Sequence, residues 1–474
     1  MPKKQTRQHK AVGFFIFHAA NCCCLSQQPV PNRLVSRTEP EKGRRQVEHV
    51  DVCVIGGGLS GLASAVCLAG AGKTVMLVEQ SERLGGRASS DVYEGCFVNR
   101  GPHALCQKGI GMKVLGQLGI VPKGGTLALG GTLTEREHEY ELPMTPLSLL
   151  KTNVFTWKQK KEFLSLLFRL TRQDLESVCQ MTLYEWANLN IADERVRQLL
   201  YTLVRLSSYC DDPERASAGV LLRQLRLSAV GGVAYLHYGW QSLINDLREQ
   251  ALKAGVTIRL RQHVATIEGE TPAIKVGLTE TRFLSAKYVI SSAGPAATYR
   301  MVKHAEKTVL ARWKYTLIPV KGAALDVIVK RLPNPDISFA LDLEQPLYFS
   351  NHSAAAVFTN HPDYQVIHTF KYHRASEIPD SDQDRELLEA FLDRLQPGWQ
   401  NEVLKKRYLP AMTVSHSLVT PERAAMLSKE SPAIKEIPGL YAVGDWFARE
   451  GLLADAALAS AYEAVQDILK MEGK

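Results

Sequence analysis

The sequence lacks several features that would place it in a special class of protein. It contains no run of 18 apolar residues free of charges or turn signals, so no membrane-spanning helix is predicted. Its nine cysteines are an odd number and form neither a CxxC pair nor a Cys/His cluster with metal-ligand spacing. We therefore expect no disulfide framework and no metal site, and a reducing cytoplasm fits this cysteine usage best.

Excess charge is also missing from most of the chain. The formal charge is +8, but residues 1–48 alone hold nine Lys or Arg against three Glu, and the other residues carry 48 basic and 46 acidic side chains. A nearly neutral body gives no support for a nucleic-acid-binding surface. We predict that residues 1–48 are a basic, disordered extension. A targeting segment is the alternative, because basic residues precede the short apolar run 12–17.

What the sequence does contain begins with a glycine-rich motif. Residues 49–55 are an apolar, β-branched run that predicts a strand, and residues 56–61 follow it as G-x-G-x-x-G. A helical stretch then leads to a second apolar strand at 74–78, which Glu79 closes. This order of strand, helix, strand and acid predicts a dinucleotide-binding unit.

Each position of this unit has a physical task. Gly56 permits a tight turn, Gly58 lets the backbone approach a pyrophosphate, and Gly61 allows close packing of the helix on the strand. The helix begins at Leu59 and Ser60, where unpaired N–H groups and the helix dipole favour an anion. A carboxylate at position 79 can accept hydrogen bonds from ribose and disfavours NADP, which leaves NAD and FAD open.

The next segment separates these two cofactors. Residues 83–87 read R-x-G-G-R and closely follow Glu79, the acid at the strand end. This pattern resembles the flavoprotein superfamily of flavin amine oxidases, protoporphyrinogen oxidase and phytoene desaturases. The resemblance implies non-covalently bound FAD, with Gln80 and the pair Gly85 and Gly86 beside the cofactor and Arg87 supporting its pyrophosphate and ring. Without the resemblance, the glycines form a flexible turn and the arginine is a solvated surface charge.

The same resemblance extends along most of residues 49–474 and implies further cofactor contacts. These are Gly101, Pro102 and His103 beside the flavin ring, Val264 at the adenine, Gly444 and Asp445 near the ribityl chain, and the backbone N–H groups of Leu453 and Ala454 at the flavin N1 and C2 oxygen. Three alternatives stay open: His103 is an ordinary turn histidine, Val264 is an ordinary buried strand valine, and Asp445 caps the helix that begins near Leu452.

The predicted fold class is α/β. A Rossmann-like FAD-binding domain is expected from residues 49–107, 231–300 and 431–474. An inserted mixed α+β substrate domain is expected from residues 108–230 and 301–430, where helical apolar spacing and short strands alternate.

Two departures from the family bear on function. Amine oxidases of the family carry a lysine on the strand that passes the flavin, and the position matched to it here is Leu325, whereas Lys321 is expected at the surface. The C-terminal aromatic position of the amine-binding cage is matched to Leu453, so the aromatic faces that bind an amine are missing. We therefore predict hydride abstraction from a lipophilic substrate such as a carotenoid-like polyene, without naming a catalytic residue.

Other functions remain open at this point. They are an amine oxidase or protoporphyrinogen-type oxidase, a redox-neutral flavin isomerase or cyclase, and a flavin-binding protein without turnover. The expected partner is an apolar small molecule and not nucleic acid. The expected location is the cytoplasm, with peripheral membrane contact as an open possibility.

Overall fold

The computed structural model describes residues 46–127, 130–279, 282–447 and 449–473. Most of the predicted basic extension lies outside these ranges, but its last three residues do not, because the first strand already begins at Gln46. The predicted boundary after residue 48 is therefore wrong: residues 46–48 pair with residues 282–284 and belong to the fold.

The described residues form nineteen strands and thirteen α-helices. The strands are β1 Gln46–Ile55, β2 Val75–Val78, β3 Ser90–Tyr93, β4 Cys96–Asn99, β5 Leu105–Cys106, β6 Gly124–Gly125, β7 Thr132–Glu135, β8 His138–Glu141, β9 Val233–Leu236, β10 Thr257–Arg259, β11 Thr266–Glu268, β12 Ile274–Gly277, β13 Arg282–Ser291, β14 Val320–Val329, β15 Phe339–Asp342, β16 Leu347–Asn351, β17 Gln365–His373, β18 Val403–Ser415 and β19 Leu440–Ala442. The helices are α1 Leu59–Gly70, α2 Ile110–Gln117, α3 Pro146–Lys151, α4 Trp157–Arg172, α5 Leu183–Asn190, α6 Glu194–Ser208, α7 Ala218–Gly231, α8 Trp240–Lys253, α9 Pro295–Met301, α10 Val309–Thr316, α11 Ser381–Leu395, α12 Pro421–Leu427 and α13 Ala454–Met471.

The first large sheet has the strand order β10-β2-β1-β13-β12-β11, with β19 beside β13. Its centre is parallel, and β11 and β12 add an antiparallel edge. Val52 and Val54 of β1 face the core shared with α1, α8 and α13, whereas Cys53 and Ile55 face the opposite core, which contains Trp313 of α10. Burial on both faces explains why this strand is a continuous apolar run in the sequence.

The second large sheet has the order β18-β14-β17-β16-β15-β7-β8 and is antiparallel except between β7 and β15. One face packs on α11, and the other faces the core formed with helices α4 to α7. The two sheets confirm the predicted α/β class. Each sheet draws its strands from the segments assigned to one predicted domain, although the division into two domains stays a prediction.

Several helices of the substrate half begin at strong N-caps. Thr145, Thr156 and Thr182 form capping boxes at the starts of α3, α4 and α5, and Asp193 and Asp380 cap α6 and α11. Within the described ranges, none of the helices combines the length and apolar character needed to cross a bilayer.

Candidate functional site

Glycines crowd the carboxyl ends of β1 and β2. Gly56 has a φ of +99°, and a Cβ on it would lie 2.6 Å from the Ser292 Oγ. A Cβ on Gly61, in the first turn of α1, would lie 2.0 Å from the Gly56 carbonyl oxygen. Both glycines are therefore required by close packing inside the protein, as the sequence predicts for the tight turn and the helix contact.

Gly58 differs from these two because the space beside it is open. It is the N-cap of α1, which has no side-chain cap and no acidic residue in its first turn. A Cβ on Gly58 would meet only the Gly85 carbonyl oxygen, at 3.9 Å, and one on Gly86 would meet only the Gly58 Cα, also at 3.9 Å. We call residues 56–61, 79 and 85–87 the glycine crevice. It presents backbone and the positive end of an uncapped helix.

Glu79 is fixed at the end of β2. Its two carboxylate oxygens accept hydrogen bonds from the Gly57 N–H at 2.7 Å and the Ser81 N–H at 2.8 Å. Each oxygen keeps a further lone pair for a hydroxyl donor. Gln80, the next residue, is exposed at the rim.

Arg87 joins the crevice to the far end of the chain. Its Nη1 donates to the Asp445 Oδ2 at 2.7 Å and its Nη2 to the Asp445 Oδ1 at 3.1 Å. The His416 Nδ1 lies 2.9 Å from the Asp445 Oδ1. Burial opposes ionisation of Asp445, but the Arg87 charge and the His416 hydrogen bonds outweigh it and lower the pKa of this carboxyl.

This arrangement corrects one alternative and adds a residue. Asp445 does not cap the last helix, since its carboxylate is used by Arg87 and His416 and the N-cap of α13 is Leu453. Sequence reasoning missed His416, because a single histidine after a strand carries no local signal. Gly444 lies at the same turn, and its N–H donates to the Ser460 Oγ of α13 at 2.9 Å.

The turn at residues 101–103 lies beside this cluster. The Gly101 carbonyl oxygen is 3.0 Å from the His103 Nδ1, which must donate because a carbonyl only accepts. The His103 ring packs at 5.4 Å from Trp240, and burial lowers its pKa to about 4. The Tyr209 hydroxyl donates to the Pro102 carbonyl at 2.7 Å. His103 is thus a neutral imidazole at the edge of the site.

The N-terminus of α13 is held by a buried acid. Leu453, the N-cap, has a φ of +57° and makes no side-chain cap, and Asp455 is the acidic residue of the first turn. The N–H groups of Leu453 and Ala454 lie at this helix end. Asp455 accepts the Gly111 N–H of α2 at 2.7 Å, and burial raises its pKa to about 6. Asp455 therefore ties the starts of two helices together.

The structure corrects the match made for the family's lysine. Leu325 of β14 is fully buried in the core under α11. Its neighbour Ala324 faces the other way, and its Cβ lies 3.7 Å from where a Cβ on Gly101 would be. The position facing the turn at 101–103 is therefore Ala324, and Lys321 is half-buried.

Val264 is buried, but it lies two residues before β11 and not within a strand. It belongs to the core on the α10 side of the first sheet. The structure thus brings most predicted site residues to the glycine crevice and the start of α13, whereas Val264 and Gln80 lie at its periphery.

A cavity of about 600 Å³ opens beside the start of α13. We call it the α7 cavity, since α7 supplies much of its wall. Its apolar lining includes Val220, Leu227, Val230 and Leu452, and its charged lining consists of Lys108, Arg223, Arg226, Arg449 and Glu450. Leu452 also lines a small cavity that reaches Leu453, so the two cavities share one wall residue just before α13.

These features fit a flavin dinucleotide. The open face at Gly58, the uncapped start of α1 and the lone pairs of Glu79 suit a pyrophosphate and a ribose. The sequence pattern described as flavin containing amine oxidoreductase matches residues 59–469. The chain belongs to this family. Membership implies a flavin cofactor.

Curated relatives of the family match only in short segments. The L-amino-acid oxidase of Demansia vestigiata is 49% identical over 59 residues, which are 12% of this chain and 11% of that protein. The carotenoid 3,4-desaturase of Haloarcula japonica is 50% identical over 52 residues, 11% of this chain and 10% of that protein. The matched segments thus span about a tenth of the relatives' own length.

Solved structures match over nearly the whole chain. An oxidoreductase from Methanosarcina mazei has a TM-score of 0.68 at 18% identity and covers 89% of this chain and all of its own. The cyclohexylamine oxidase from Brevibacterium oxydans has a TM-score of 0.65 at 18% identity, with 89% of this chain and 99% of its own covered. At this identity the likeness establishes the fold.

Proposed function

We propose that this protein binds FAD non-covalently along the glycine crevice and dehydrogenates an apolar small molecule held in the α7 cavity. The lining of that cavity carries the proposal. Four aliphatic side chains line it. Arg223 and Arg449 are paired with Glu176 and Glu463, but Lys108 and Arg226 outnumber Glu450, and this positive excess disfavours a cationic amine.

Different residues of the crevice would bind different parts of the cofactor. Gly58 and the N–H groups of Leu59 and Ser60 would receive the pyrophosphate, and Glu79 would accept ribose hydroxyls. On the flavin side, Gly86 and Arg87 would support the ring end, where Arg87 is held in place by Asp445.

Bound FAD supplies a hydride acceptor, so the protein has to place a C–H bond and exclude water. Ala324 presents only a methyl group at the turn 101–103, and Tyr209 is fixed there by its bond to Pro102. The helix dipole of α13 would stabilise the negative charge that reduction places on the ring. These groups orient and shield, and none is required to form a covalent bond.

Two measurements test the proposal. The purified protein should show the visible bands of oxidised flavin, which acid precipitation should release from the polypeptide because the binding is non-covalent. Under anaerobic conditions, a polyene in detergent should bleach these bands faster than a primary amine of similar size. A protein without flavin bands after incubation with FAD would contradict the cofactor proposal. Faster bleaching by amines would contradict the substrate proposal.

Oxidation of an amino acid is the second candidate. The match to L-amino-acid oxidases favours it, and the basic side chains of the cavity could pair with a carboxylate. Bleaching by L-amino acids but not by their decarboxylated amines would select this candidate. Turnover only by pre-reduced protein would instead indicate an isomerase. A cytoplasmic location stays a prediction.

A further inference from the structure

Helices α3 and α4 expose an unusual number of large apolar side chains. On α4, Trp157, Leu164 and Phe168 are 67%, 47% and 57% exposed and follow the spacing of a single helix face. Leu147 and Leu150 of α3 are exposed as well. The opposite face of α4 is buried through Phe163, Leu166 and Leu170, so the helix is held to the protein without using its outward face. We call the five exposed residues the docking surface.

The charges on α3 and α4 themselves are nearly all basic. Residues 146–172 contain six basic side chains, and Glu162 is their only acid. The Glu162 carboxylate is already used, because it accepts the backbone N–H of Ala192 at 2.6 Å. Exposed basic residues border the apolar face, namely Lys151, Lys158, Lys161 and Arg172. An anionic partner is therefore favoured over a neutral or cationic one.

Local contacts hold this surface together. The Lys160 Nζ donates to the Leu150 carbonyl at 2.7 Å and lies 5.0 Å above the Trp157 ring, which links α3 to α4. The Arg172 guanidinium lies 4.0 Å from the Phe168 ring centre. The aromatic rings thus carry cationic groups beside them, a combination that suits the boundary between lipid headgroups and acyl chains.

The α7 cavity opens at the end of this surface. Thr171, in the last turn of α4, is part of its lining, and the exposed Val230 of α7 stands at the same wall. The Arg226 Nη1 donates to the Gln173 carbonyl at 3.2 Å and so fastens α7 to the end of α4. The mouth of the cavity therefore lies beside the C-terminal end of α4.

We propose that the outward faces of α3 and α4 dock on an anionic lipid bilayer and hold the mouth of the α7 cavity against it. Docking through this surface requires neither the cofactor nor the reaction. Vesicle binding therefore tests it even if the proposed substrate is wrong.

Trp157 provides a local probe. It is the exposed one of six tryptophans, since the other five are at most 3% exposed. With the full chain and phosphatidylcholine vesicles containing phosphatidylglycerol and brominated acyl chains, its emission should be quenched and shifted to the blue. The Leu164→Ser/Phe168→Ser variant keeps the probe and should lose the quenching. Val121→Ser/Ile378→Ser, at two exposed apolar residues elsewhere, should keep it.

Charge is tested separately. The Lys158→Glu/Lys161→Glu variant should bind these vesicles at least tenfold more weakly, since each basic residue near an anionic surface contributes roughly fivefold. Three results would overturn the proposal. The first is unchanged quenching in the Leu164→Ser/Phe168→Ser variant, and the second is sedimentation with vesicles without Trp157 quenching, which binding through residues 1–45 would give. The third is a protein that does not bind lipid but forms a dimer, if the Leu164→Ser/Phe168→Ser substitutions dissociate that dimer.

Discussion

The glycine crevice and the α7 cavity share no residue, and they differ in whether main chain or side chains form their surface. The crevice presents main-chain groups, and its shape depends on missing side chains at Gly56, Gly58 and Gly61. The cavity presents the side chains of α7 and of residues 449–452. Few residue types are tolerated at positions where the main chain forms the site. The side chains that line a cavity can instead be substituted to suit a different substrate while the fold stays the same.

Gly61→Ala should have the largest effect. The added Cβ would lie 2.0 Å from the Gly56 carbonyl oxygen and 2.7 Å from the Ser292 Oγ, so the start of α1 must move. We expect a loss of about 3 kcal/mol or more in unfolding free energy, together with loss of bound flavin. Urea unfolding and the ratio of flavin to protein measure both.

Gly70→Ala is the matched control at the other end of α1, where a Cβ meets no atom within 4 Å. It should leave stability unchanged or raise it by up to about 1 kcal/mol. Equal stability of the two variants would contradict the close packing at Gly61.

Asp455→Asn should change the pH dependence of stability. Because the pKa of Asp455 is raised to about 6 in the folded protein, its stabilising contribution is complete below its ordinary pKa and is lost as pH rises through about 6. Relative to wild type, the unfolding free energy of the Asn variant should rise by up to about 3 kcal/mol as the pH increases from about 4 to about 8. Thermal unfolding across this range measures it.

Asp445→Asn is the opposite control. The pKa of Asp445 is lowered by Arg87 and His416, so its contribution is present above its ordinary pKa and lost in acid. The Asn variant should therefore be destabilised at neutral pH. The same direction of change in both variants would contradict the assigned environments.

Gly58→Ala separates cofactor binding from folding. Its φ of −80° suits alanine, and the Cβ would meet only the Gly85 carbonyl oxygen at an ordinary distance. The unfolding free energy of the FAD-free protein should change by less than about 1 kcal/mol. FAD affinity should fall about tenfold or more, or about 1.4 kcal/mol. Titration of the FAD-free protein tests this, and equal affinities would show that the cofactor does not use the open face.

Leu227→Ala should have the smallest effect. Leu227 is a half-buried residue of the α7 cavity. Its replacement should lower the unfolding free energy by about 1 kcal/mol or less and leave the flavin content unchanged. The relative rates of anaerobic flavin reduction should shift toward bulkier substrates. Loss of flavin in this variant would contradict the assignment of substrate binding to the cavity and cofactor binding to the crevice.

The same contrast explains what could be predicted from sequence. Glycines at residues 56–61 and 85–86 are imposed by local backbone demands, so their spacing was sufficient to place the crevice. Leu325 was matched wrongly because β14 is buried on both faces, which removes the alternation that would show which residues face the crevice. His416 and the Asp455 contact with Gly111 join distant segments, and no local pattern reports such pairs.

The strand pairing of the first sheet has a consequence for synthesis of the protein. β1 is made early, yet its neighbour β13 follows more than 200 residues later, and β19 and α13 complete the site last. Pairings of this range are slow to form because long loops must close first. During translation, the edge of β1 that pairs with β13 therefore stays unpaired until most of the chain has left the ribosome. Cofactor loading belongs to the end of translation, and fragments that stop before β19 should not retain flavin.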